Sequence, residues 1–156
     1  MKAYASTLKA VGVDLRENQK KYRVGKTKRA STAGAPAELI ELKDGMVPFG
    51  SIDTLARRLE VDAGDLLNLI GIPARTAARR KDRGYLKSDE ADRLLRLARV
   101  AEEATRIFGS DDKAALWFKT AHPSLGDAAP LSLLDSDAGT KAVTDELIRI
   151  DYGDFA

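Results

Sequence analysis

An all-α fold is expected from three observations. Apolar residues recur at i, i+3, i+4 and i+7 in several stretches, the mark of a helix with one buried face. Glycine, proline and capping residues separate these stretches where helix ends belong. No alternating apolar and polar run of useful length occurs, so nothing asks for a strand. The 156 residues allow about one domain, or two small helical units.

Residues 1–35 are polar and basic and run into Ser31-Thr32-Ala33-Gly34-Ala35-Pro36, which reads as a poorly ordered arm and linker. A short helix is expected from Pro36, burying Leu39, Ile40 and Leu42 and stopping at Gly45. After the connector Pro48-Phe49-Gly50, Ser51 is a good N-cap for a helix with Ile52, Leu55, Ala56 and Leu59 on one stripe. Asp62 starts a second helix that uses Leu66, Leu67 and Ile70 and ends at Gly71. Pro73 opens a third, running to about Lys81. Ser88 caps a long helix of about 20 residues, with Ala91, Leu94, Leu97, Ala98, Ala101, Ala104 and Phe108 on one face. Gly109 stops it, and Ser110 caps a helix carrying Ala114, Leu116, Trp117 and Phe118. A turn region at 122–127 follows. Pro130 opens a short helix with Leu131, Leu133 and Leu134, and Gly139 precedes a last one with Val143, Leu147 and Ile150 aligned.

Composition excludes several function classes. There is no cysteine, hence no disulfide scaffold, thiolate zinc site or cysteine nucleophile. The single histidine, His122, precedes Pro123 and reads as a loop or cap residue. No phosphate-loop, dinucleotide, zinc-protease or calcium-loop motif occurs, so an enzyme is not expected and no cofactor is called for. Neither a signal peptide nor an apolar run long enough for a membrane span is seen, so a cytoplasmic protein is expected.

The net charge of +2 conceals blocks: +7 over residues 1–29, −4 over 30–70, +5 over 71–99 and −6 over 100–156. Two basic segments and an acidic C-terminal third point to two different partners.

The most informative stretch is Asp62 to Arg83. Two short helices joined by Gly71-Ile72-Pro73 have the form of a helix-turn-helix. With Ala74 at 0° and about 100° per residue, Ala77 and Ala78 make a narrow inner face, while Arg75, Thr76, Arg79, Arg80 and Arg83 point outward. Arginines so placed reach phosphates or read guanine, so these five are the candidate DNA contacts. The basic arm could add phosphate contacts.

The second cluster is the tail. Tyr152 and Phe155 stand within five residues of the end of the chain, around Gly153, beside Asp151 and Asp154. Two rings and three negative groups, counting the terminal carboxylate, suit insertion into a basic pocket of a partner. Folding of the rings onto the protein's own core is the other reading of the same residues.

An ordered series of residues carries a family resemblance. Gly71-Ile72-Pro73-Ala74-Arg75-Thr76-Ala77-Ala78-Arg79-Arg80-Lys81, then Leu86, Ser88 and Asp92-Arg93-Leu94-Leu95-Arg96, resembles the Xre-type antitoxins with a ParS/MbcA-like toxin-binding domain. Trp117, Leu125-Gly126, Pro130-Leu131, Leu133-Leu134, Gly139, Val143, Leu147 and Arg149-Ile150-Asp151-Tyr152-Gly153 continue the series, which spans roughly 38–156. The chain departs from the pattern at Asp127, where the family often has glycine, and at Ala91, where it often has serine.

The resemblance implies a Xre/Cro-like helix-turn-helix over 36–86 and a helical dimerisation and toxin-binding unit over 87–156. It implies a homodimer, an operator DNA and a cognate toxin, most commonly a RES-domain enzyme that consumes NAD. It also implies that the C-terminal region occludes the toxin's active site, with Lys141, Arg149, Asp151, Tyr152, Gly153, Asp154, Phe155 and Ala156 as the toxin-binding candidates. The alternative is a stand-alone helix-turn-helix regulator whose C-terminal helices only dimerise.

Overall fold

The computed structural model describes residues 7–12 and 47–153. Its α-helices are α1 (Ser51–Leu59), α2 (Ala63–Leu69), α3 (Ala74–Arg83), α4 (Ser88–Phe108), α5 (Asp111–Lys119), α6 (Pro130–Leu133) and α7 (Asp137–Asp151), with a 3-10 turn at Pro123–Leu125. Among the described residues no strand ladder forms, only the isolated bridges Pro48–Tyr85 and His122–Ala128.

The long helix α4 is the spine. It packs against α1, α5 and α7, while α2 joins α1 to α3 and α6 joins α5 to α7. Alanine and leucine on its inner side allow this: Ala91, Leu94, Leu97, Ala98, Ala101 and Ala104 are buried as the periodicity requires. Leu95 and Val100 are buried too, so α4 is covered on more than one stripe because helices lie on both flanks. One apolar cluster runs unbroken from Ile52, Leu55 and Leu59 through α4 to Phe118, Val143 and Leu147.

Several helix ends follow from local chemistry. Asp62 accepts the Gly64 N–H, Ser110 accepts that of Lys113, and Ser136 accepts that of Gly139. Glycines in the left-handed region close α3 at Gly84 and α4 at Gly109. Two expected caps lie one residue inside their helices. Ser51 is buried in α1 behind Gly50, and Ser88 follows Lys87, whose N–H donates to Glu90. Gly139 does not precede the last helix but lies in its first turn. There a Cβ would come within 1.9 Å of the Leu133 carbonyl oxygen, so only glycine fits the close crossing of α6 and α7.

Two expectations are corrected. Residues 7–12, read as part of a poorly ordered arm, form a helical turn whose Leu8 and Val11 are buried in the core. Thr7 Oγ1 donates to Glu102 of α4 at 3.2 Å. An arm with two apolar residues three apart can bury both on one side of a turn, and here both join the common core cluster. Leu116, grouped with the apolar residues of α5, is exposed, since it lies opposite the face made by Ala114, Ala115, Trp117 and Phe118. The rest of the basic arm and the expected helix from Pro36 to Gly45 lie outside the described residues.

Candidate functional site

Two surfaces carry the candidate residues, one before α4 in the chain and one after it. The first is α2, its turn and α3. Gly71 has φ +68 and lets the chain reverse, while Ile72 is buried beneath the turn. Arg93 of α4 reaches across to donate to the Ile70 carbonyl at 3.0 Å, so the spine holds the turn. The far end of α3 is held by Phe49 N–H donating to Gly84 and Leu86 N–H donating to Val47, both at 3.0 Å.

On this fixed frame Arg75, Arg79 and Arg83 are exposed, Lys81 is exposed with them, and Thr76 is half-buried. Arg80 is a correction. It is 2% exposed, and its Nε donates to both carboxylate oxygens of Glu90 at 2.9 and 2.7 Å. The buried arc of α3 is centred between Ala77 and Arg80, and Ala74 and Ala78 are exposed. The helical wheel put Ala77 and Ala78 inside and every arginine outside; burying a charge is costly. Pairing with Glu90 offsets that cost, and the helix rolls by a large fraction of one residue step. Burial alone would raise the Glu90 carboxyl, but the hydrogen bond from Arg80, the Lys87 N–H and the Arg80 charge outweigh it and hold it below its ordinary value.

The second surface is the end of α7. Lys141 pairs with Asp145, and Arg149 pairs with Glu146, both within the helix. Asp151 is held by Arg106 of α4, whose Nη2 lies 2.7 Å from Oδ2. Arg106 also donates to Glu103, and the two carboxylates raise its already high pKa further. Tyr152 is 85% exposed, and Gly153 has φ +73. The reading in which the Tyr152 ring folds back onto the core is therefore set aside. Asp154, Phe155 and Ala156 lie outside the described residues.

Ile148 belongs to this surface and was missed. It is 45% exposed, one helical turn before Tyr152 and on the same side. The signal was present in the sequence, since an isoleucine about 100° off the Val143, Leu147 and Ile150 stripe has no place in the core.

A network joins the two halves. Asp111 accepts from Arg58 of α1 at 2.8 Å and from Thr105 of α4 at 2.6 Å. Burial would raise Asp111, but these two donors hold it below its ordinary value. A crevice of about 280 Å³ lies between Leu69, Leu97, Arg93, Arg96 and the turn at Asp135. Its arginines are engaged, Arg93 with Ile70 and Asp89 and Arg96 with Asp137, so no anion site is assigned there. His122 sits against Trp117, ring centroids 5.3 Å apart, with Nε2 3.1 Å from the Trp117 carbonyl. Among the described residues no helix is long and apolar enough to cross a membrane.

Residues 38–99 match the antitoxin Xre-like helix-turn-helix domain, and residues 103–153 match the antitoxin Xre/MbcA/ParS C-terminal toxin-binding domain. The two matches meet inside α4. The chain is similar to the antitoxin Xre of Photorhabdus laumondii, at 34% identity over 72% of this chain and 76% of that protein. It is similar to the antitoxin Xre of Yersinia enterocolitica, at 33% over 67% and 72%. A shorter likeness, 34% over 53% of this chain and 52% of the relative, is to the antitoxin Xre of Pseudomonas putida.

Proposed function

The chain belongs to the Xre antitoxin family, an antitoxin of a toxin–antitoxin system with a helix-turn-helix DNA-binding domain, and from that premise we propose how it acts. Its toxin is a RES-domain enzyme that consumes NAD. The C-terminal end of α7, with Tyr152 as anchor, enters the mouth of the toxin's active site and denies NAD its place. The observation that carries this reading is Tyr152, 85% exposed at the end of a toxin-binding domain, with Ile148 exposed one turn earlier. Exposed rings next to apolar side chains are what hot spots are made of.

The same reading has α3 bind operator DNA of the antitoxin's own operon through Arg75, Arg79 and Arg83. A homodimer would offer two such helices to a two-fold operator.

Co-expression with the adjacent reading frame tests the toxin arm, scoring growth and intracellular NAD. The expected result is that the neighbour alone stops growth and drains NAD, and that this chain restores both in a complex that co-purifies. Deletion of residues 152–156 should abolish rescue while the truncated chain stays folded. Full rescue by the truncated chain would refute the plug. A harmless neighbour and no complex would favour the stand-alone regulator.

A further inference from the structure

Helix α3 has little apolar anchorage. Of its side chains only Ala77 and Arg80 are buried. A ten-residue helix is held in its orientation by packing of an apolar face, and one alanine methyl is too small a face to set how the helix is rolled about its axis. What occupies the inner arc beside Ala77 is the Arg80 guanidinium, with Nε within 2.9 Å of both Glu90 oxygens.

Glu90 is a fixed point. It is 5% exposed and accepts the Lys87 N–H at 2.9 Å. It stands in the first turn of α4, whose next residue, Ala91, is buried. Roll of α3 and aim of its outer face are the same variable. Arg79 and Arg83 are one residue before and three after Arg80, so any rotation that frees Arg80 turns both away by the same angle.

We propose that Arg80 and Glu90 are positioning residues for DNA recognition: the buried pair sets the roll of α3 and so aims Arg75, Arg79 and Arg83 at the duplex without touching it. The inference rests on reading α3 as the DNA-facing helix. It differs from simple electrostatics in sign. Neutralising Glu90 makes the protein more positive, which favours any DNA, yet it loosens the aim on which discrimination depends.

Fluorescence anisotropy tests this with two labelled duplexes, one from the region upstream of the gene and one scrambled to the same length and composition. Glu90→Gln is expected to bind the scrambled duplex as well as or better than the wild type, and the upstream duplex at least about tenfold more weakly, the loss of one well-aimed base contact. Arg80→Lys keeps every charge but loses the planar donor. It is expected to leave scrambled binding unchanged and to weaken upstream binding by about tenfold. Thermal melts and co-purification with the toxin check that each variant is folded. If Glu90→Gln melts below the assay temperature, Arg80→Lys decides alone. A wild type that discriminates between the duplexes, with variants that discriminate equally well, overturns the inference alone. A wild type that binds both duplexes equally overturns the operator reading and the inference with it.

Discussion

Arg106 in the last turn of α4 clasps Asp151 at the end of α7, Nη2 to Oδ2 2.7 Å apart across forty-five residues of chain. The pair fixes the point from which Tyr152 leaves the helix. On the proposed reading of the tail, Asp151 acts by holding it rather than by meeting the partner itself. Arg106→Ala and Asp151→Ala are expected to weaken toxin neutralisation to similar extents, each less than Tyr152→Ala. The double variant should be no worse than either single one. A double-mutant cycle on toxin affinity checks it, and additive losses would show that the two groups act separately. Tyr152→Ala should leave the melting temperature unchanged, because the ring is exposed.

Leu8 lies far in sequence from the residues it packs with, and it is 1% exposed. Its truncation in Leu8→Ala removes three carbons from a closed core and is expected to cost about 2–5 kcal/mol. Urea denaturation measures this. A change within about 0.5 kcal/mol, typical of surface positions, would show that residues 7–12 do not contribute to the core.

Arg79 and Arg83 are the exposed arginines flanking Arg80. For upstream DNA, Arg79→Ala and Arg83→Ala are each expected to reduce the slope of log affinity against log salt by about 0.9, one phosphate contact apiece. Affinities at four or five salt concentrations give the slope. An unchanged slope in the double variant would move the phosphate contacts elsewhere, most simply to the basic arm.

Two carboxyls, Glu90 and Asp111, are held below their ordinary values in the folded chain. A depressed folded pKa means the unfolded chain takes up the proton first. The stabilisation is whole above the ordinary carboxylate range of about 4 and is lost as pH falls through the folded values. Urea midpoints are expected to hold steady from pH 7 to 5 and then fall. Glu90→Gln should be less stable at pH 7 and lose less on acidification, because one of the two linked groups is gone. A parallel fall in both proteins would remove Glu90 from the linkage.

Most helix ends were legible because their causes are local. Asp62, Ser110, Gly71, Gly84 and Gly109 each act within a turn of where they stand, and the spine's Ala and Leu stripe shows in its own spacing. The outer arginines of α3 were legible in part. The spacing separated Arg75, Arg79 and Arg83 correctly but put Arg80 with them, since a helical wheel weighs each residue by its own polarity and cannot see a carboxylate on the next helix.

The amino-acid sequence by itself determined an all-α chain, the positions of its turns, a basic helix after a glycine turn and an acidic C-terminal third. Its ordered residues also marked the antitoxin family. Only the tertiary structure decided the roll of α3 on Arg80 and Glu90, the docking of Leu8 and Val11, and the clasp of Arg106 on Asp151. The reason is range. Capping and periodicity are set by neighbours within about four residues, whereas each of these contacts joins different elements of the chain, and only the packing of helices on α4 brings the partners together.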